Sequence, residues 1–147
     1  VQQQLATADE KPLFVFVISM ENHGPLHLET ADPAVAERWI EGRVTSGCEA
    51  LTVYLRHLRN TDCMLGRLRD SLRKNERPGI LGFYGDHVPI MPKVYALHGE
   101  PDGLTNYFIW QTAPHSGDNV RMTLPADKLG TTIYDRIIEH AGEFGAN

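Results

Sequence analysis

Leu51, Leu55, Leu58, Leu65, Leu68 and Leu72 recur at steps of three and four, with Asp62 in the same phase. That spacing predicts an amphipathic α-helix from about Glu49 to Lys74, long enough that the rest of the chain must be arranged along it. Arg56, Arg59, Arg67, Arg69 and Arg73 fall on its other side and read as a solvated face. Basic residues near the end suit the helix dipole, and Asn75 to Gly79, with Pro78, supplies the stop. Asp62 interrupts the leucine stripe, which predicts a carboxylate turned toward the sheet and paired there.

Two apolar runs flank this helix. Leu13-Phe14-Val15-Phe16-Val17-Ile18-Ser19-Met20 has no alternation and is rich in β-branched and aromatic residues. It reads as a strand covered on both faces. Gly79-Ile80-Leu81-Gly82-Phe83-Tyr84 reads as a second strand and stops at Gly85-Asp86-His87. Strand, helix and strand make a βαβ unit, which predicts parallel strands with their polar tips on one edge. Glu21, Asn22 and His23 would then fall near Asp86 and His87.

Asp32-Pro33 opens a short helical pattern through Val35, Trp39 and Ile40, closed by Gly42. Val88 to Thr105, with Pro89, Pro92, Gly99, Pro101 and Gly103, reads as a loop holding His98. Asn106 to Gln111 reads as a third strand, and a last helix follows Asp127 through Leu129, Ile133, Ile137 and Ile138 to near Gly142. The fold class expected is α/β, a mostly parallel sheet with flanking helices in three layers.

With 147 residues, 41% of them apolar, the chain is one domain's worth and can bury a core. A formal charge of −5 argues against a protein that grips nucleic acid through its overall field. Cys48 and Cys63 would be separated by about 22 Å of helix rise, which forbids a disulfide between them. No run approaches the roughly 18 apolar residues of a membrane span. The start, Val1-Gln2-Gln3-Gln4, has neither an initiator Met nor a signal-peptide pattern, so the chain is expected to be a piece of a longer one.

Asp86-His87 is the sharpest constellation. A carboxylate beside a neutral imidazole suits a divalent metal, and Gly85 lets the backbone leave the pleat so that both can converge. The structural alternative is a pair that caps a turn. His23, between Asn22 and Gly24-Pro25, can bind an anionic oxygen or donate a proton to a leaving group, or be a loop histidine held by backbone. Glu21 is a candidate further ligand or a solvated strand-end glutamate. Cys48 and Cys63 lack metal or redox spacing and read as inert thiols.

Three blocks, taken together, resemble the sulfatase-like branch of the alkaline phosphatase superfamily, and within it the bacterial phosphoglycerol and phosphoethanolamine transferases of the lipoteichoic acid synthase type. They are Lys11 to Pro25, with its strand, Asn-His and Pro-containing turn; Tyr54 to Leu68, with Thr61-Asp62 and Leu65-Gly66; and Ile80 to His87, with Tyr84-Gly85-Asp86-His87. The resemblance implies that Asp86 and His87 coordinate a divalent ion (Mn2+, Zn2+ or Mg2+). It implies that His23 is catalytic and contacts the phosphate or leaving oxygen, and that His98 is a further phosphate contact.

The family's nucleophile and another acidic metal ligand belong to the N-terminal half of its domain. Neither motif is here, and Thr45, Thr52 and Thr61 lie in the wrong context. Residues 1–147 are therefore expected to be the C-terminal portion of a sulfatase-like catalytic domain, inactive alone. The resemblance implies transfer of a phospho-substituent to an envelope glycan or phospholipid, on the extracytoplasmic face of a bacterial inner membrane. Sulfatase or phosphodiesterase hydrolysis is one alternative, and a non-catalytic α/β module of an envelope protein is the other. The expected partners are the substrate and the rest of its own chain, with self-association of the isolated piece through apolar edges.

Overall fold

The computed structural model describes residues 3–4, 12–75, 77–112 and 120–144, with side chains in the last helix up to residue 139. A single 3-10 turn at Leu26–Leu28 is followed by α1 (Pro33–Trp39), α2 (Glu49–Lys74), β1 (Ile80–Tyr84), α3 (Pro92–His98), β2 (Tyr107–Gln111) and α4 (Ala126–Phe144).

The long helix has the expected limits. Its start is held by Glu49, whose Oε1 accepts from the Gly47 N–H at 3.0 Å. That bond, more than any other influence, lowers the Glu49 carboxyl below its ordinary range. Helix α1 also starts as its sequence predicts: Asp32 Oδ1 accepts from the Ala34 N–H at 2.9 Å, and Pro33 occupies the first turn.

The buried face of α2 differs from the leucine stripe. Thr52, Val53, His57 and Thr61 are its buried residues. Leu58 is exposed, and Asp62 is exposed rather than turned toward the sheet. The reason is placement: the 3-10 turn packs on this side of α2 through Leu26 beside Val53, and Glu29, which follows the turn, bonds His57. A helix buries the face that its neighbours cover. The core consists of Leu26, Cys48, Val53, Met91 and Val94, with Leu51, Tyr54 and Tyr95 packed against it. Both cysteines are free, Cys48 buried and Cys63 exposed.

Strand β1 forms as expected, but its partner and direction differ. Among the described residues the sheet has two strands, and β1 pairs antiparallel with β2, Ile80 opposite Gln111 and Tyr84 opposite Tyr107. The expected βαβ crossover is not formed among them, and this antiparallel pair does not confirm the mostly parallel, three-layered sheet. Phe83 and Phe108 lie opposite each other with ring centroids 5.6 Å apart. The Arg73 guanidinium lies 5.4 Å from the Trp110 ring centroid, tying the end of α2 to β2. Helix α4 lies over the sheet where Ile133 meets Gly82.

The first apolar run is no strand. Residues 12–20 are irregular, and Phe14, Phe16 and Ile18 are 80%, 62% and 76% exposed. An apolar run becomes a doubly covered strand only where a sheet offers it an edge and layers to cover it. Nothing among the described residues does so. The segment expected to be a loop around His98 contains helix α3, which Pro92 opens and Gly99 closes at φ +93°.

Candidate functional site

The end of β1 is shaped by the strand lead-in opposite it. Gly85 donates its N–H to the Asn106 carbonyl at 3.1 Å, and its own carbonyl accepts from Thr105 Oγ1 at 2.6 Å. With both backbone groups of Gly85 held, the chain turns out of the ladder at Asp86. Asp86 Oδ1 accepts from the His87 N–H at 3.0 Å, which folds the carboxylate back over the next residue. His87 Nδ1 lies 2.9 Å from the Val88 carbonyl oxygen. A carbonyl only accepts, so Nδ1 carries the proton and Nε2 keeps its lone pair when the ring is neutral.

That nitrogen lies 3.5 Å from Asp86 Oδ2, and both side chains are largely exposed, 62% and 79%. The imidazole Nε2 and one carboxylate oxygen are thus neighbours on an exposed part of the surface. A backbone carbonyl that fixes the tautomer of a histidine is the usual support for a metal ligand. A carboxylate oxygen and an imidazole nitrogen are donor types that could serve a divalent cation. Among the described residues no group of three or more His, Cys, Asp or Glu side chains could hold a metal ion.

His23 sits in a turn closed by its own N–H to the Met20 carbonyl at 3.1 Å. Its Nδ1 lies 2.8 Å from the Gly24 carbonyl oxygen, so the same logic leaves Nε2 exposed and available. Glu21 accepts from Asn60 Nδ2 at 2.6 Å, which makes it a tie to α2. An open groove of about 620 Å³ runs beside Glu21 along α2, past Arg59, Asn60, Met64 and Leu68. His98 lies exposed in the last turn of α3. Neither His23 nor His98 joins Asp86 and His87 in a metal-holding cluster among the described residues. Thr52 and Thr61 are buried on α2.

Sequence reasoning missed a second constellation. Glu29 Oε2 accepts from His57 Nε2 at 3.1 Å and pairs with Arg56, and His57 is only 7% exposed. A signal was present: His57 follows Val53 by four residues and precedes Thr61 by four, the spacing of one helix face. His57 Nδ1 is buried without a hydrogen-bond partner among the described residues, as is Asn22 Oδ1 in the His23 loop.

The Sulfatase family matches residues 1–136 of the chain. The chain belongs to this family. Two Rhizobium meliloti (strain 1021) proteins are similar to it. One is the "Capsular polysaccharide biosynthesis protein RkpI", 35% identical over 130 residues, covering 85% of this chain and 21% of that protein. The other carries the name "Putative cyclic beta-1,2-glucan modification protein" and is 27% identical over 97 residues, covering 65% of this chain and 15% of that protein. The chain thus spans about a fifth or less of the length of these curated relatives. No solved structure matches it. Among the described residues no helix is long and apolar enough to cross a membrane. As a member of the Sulfatase family, the described chain, helices and a small sheet, is an α/β sulfatase-like fragment.

Proposed function

We propose that this chain is the C-terminal part of a catalytic domain that transfers a phospho-substituent, of the phosphoglycerol or phosphoethanolamine kind, to an envelope glycan or lipid. The observation that carries this reading is the convergence of His87 Nε2 and Asp86 Oδ2 at the end of β1, 3.5 Å apart, in a chain of the Sulfatase family. The names of the two relatives, one in capsular polysaccharide biosynthesis and one in cyclic glucan modification, support a glycan of the cell envelope as the acceptor. An extracytoplasmic location follows from such a substrate.

Asp86 and His87 would hold the divalent cation, Mn2+, Zn2+ or Mg2+, together with ligands from elsewhere in the protein. When bound, it would supply a Lewis acid that stabilises negative charge on phosphoryl oxygens. The Val88 carbonyl keeps His87 in the tautomer that presents Nε2, so the donor needs no rearrangement. His23, with Nδ1 committed to the Gly24 carbonyl, offers Nε2 to the substrate. When charged it donates to a phosphoryl or leaving oxygen, and when neutral it takes the proton of an incoming hydroxyl. His98 is a further phosphate contact in this reading. The nucleophile, and the remaining half of the domain, come from the rest of the protein. The chain alone is inactive and associates with itself through exposed Phe14, Phe16 and Ile18.

Hydrolysis of a sulfate ester is the second reading, favoured by the family match itself. One experiment separates them. The full-length protein is given bis(p-nitrophenyl) phosphate and p-nitrophenyl sulfate in turn, with Mn2+, Zn2+ or Mg2+ added. Phosphodiester turnover that Asp86→Ala abolishes, with the phospho group carried onto an added glycan or alcohol acceptor, supports the transferase reading, and the same turnover with water as the sole acceptor supports a phosphodiesterase. Sulfate release alone supports the hydrolase, and metal-loaded protein inert to both supports a non-catalytic module.

A further inference from the structure

The loop that carries His23 is fastened to α2 at both ends by carboxylates. At its start, Asn60 Nδ2 donates to Glu21 Oε1 at 2.6 Å. At its end, His57 Nε2 donates to Glu29 Oε2 at 3.1 Å, and Arg56 pairs with the same oxygen while donating to the Thr30 carbonyl at 3.3 Å. Arg56, His57 and Asn60 span about one turn of the helix, roughly 6 Å of rise, so the two ends of the loop are held close together on one rigid element. Between the fasteners Leu26 is buried to 3% exposure, in the core beside Val53.

Among the described residues His23 makes only local bonds, to Met20 and Gly24. Its place relative to the rest of the fold is therefore set through the loop, by the two glutamates at its ends and by buried Leu26 between them, and not by its own contacts. The His57 side chain is 8% exposed, which shields its bond to Glu29 from competing water. Hydrogen bonds to a charged partner are the stronger kind, and here both fasteners are of that kind.

We propose that Glu21 and Glu29 are positioning residues, which through Asn60, His57 and Arg56 hold the loop so that His23 presents Nε2 to a phosphate oxygen. This rests on the reading of His23 as a phosphate contact. The test uses the full-length protein with histidine rings labelled with 13C, and follows the His23 ring signal during titration with inorganic phosphate. Asn60 is exposed, so N60A is expected to keep the fold, verified by an unchanged melting temperature. It should raise the phosphate midpoint at His23 about tenfold, and N60Q, which retains the donor, should restore much of the difference. E29Q, which keeps the size of the side chain, should act in the same direction as N60A. If His23 responds to phosphate in the unmodified protein and both variants respond at the same midpoint, the positioning role is overturned and the phosphate contact stands. If His23 does not respond in the unmodified protein, the phosphate contact itself fails and the positioning role falls with it.

Discussion

His87 Nε2 and Asp86 Oδ2 lie 3.5 Å apart, with His87 Nδ1 turned away onto the Val88 carbonyl oxygen. Adjacent residues in a regular strand point to opposite faces, so the approach of these two side chains requires the chain to leave the ladder after Gly85. Thr105 and Asn106 hold both backbone groups of that glycine.

Loss of either ligand should empty the proposed metal site. In the full-length protein, Asp86→Ala and His87→Ala are each expected to lower metal affinity at least 10- to 100-fold, the range that even supporting residues command. Equilibrium dialysis followed by elemental analysis measures it. Stoichiometric metal retained by both variants would remove Asp86 and His87 from the site.

Leu26 is the apolar anchor of the His23 loop, 3% exposed against Cys48, Val53, Met91 and Val94. Leu26→Ala should cost about 2–5 kcal/mol, through lost burial and the cavity left behind. Urea denaturation monitored by circular dichroism gives the value. A cost below the lower end of that range would mean that the loop is not part of the core.

Gly82 is the close approach between the sheet and α4, since a Cβ added there would lie 2.8 Å from Ile133 Cδ1. Alanine can be met by a shift of the isoleucine end, but Gly82→Val should cost about 1–3 kcal/mol by overpacking. Combining it with Ile133→Ala should cost less than the sum of the two single changes. Additive losses in thermal unfolding would contradict the contact.

Tyr54 is held above the ordinary phenol value of 10.0, first by burial and then by Tyr95 nearby. A raised value means that the fold favours the neutral phenol. Its contribution is fully present below pH 10.0 and is lost as the pH rises through the folded-state value. Melting temperatures from pH 8 to 12 should therefore fall less steeply for Tyr54→Phe than for the unmodified chain. Equal slopes would place the alkaline loss elsewhere.

Exposed Phe14, Phe16 and Ile18 should make the 147-residue chain self-associate at micromolar concentration. Sedimentation velocity is expected to show larger species that diminish in a Phe14→Ser, Ile18→Ser double variant. A monodisperse monomer across concentrations would argue that this segment is covered in solution.

Some features were legible because they are local. The limits of α2 follow from a 3.6-residue period and a Pro-containing stop, and the start of α1 follows from Asp32-Pro33. Asp86 and His87 are neighbours in the chain, so they could be named as a candidate pair before any fold was known. Other features lie between segments. Glu29 and His57 are 28 residues apart, and nothing in either local stretch requires them to meet.

The sequence by itself determined where α2 runs, where β1 stops and that a carboxylate and an imidazole follow it. These depend on periodicity, glycine and proline, which act over a few residues. Tertiary structure alone decided that α2 buries Val53 and His57 beneath the loop, with Leu58 left exposed, and that β2 pairs antiparallel with β1. It also left Phe14, Phe16 and Ile18 uncovered. The physical reason is the same in each case. Hydrophobic burial is non-directional, so a pattern can declare that a face is apolar but only the neighbours in space determine whether it is covered.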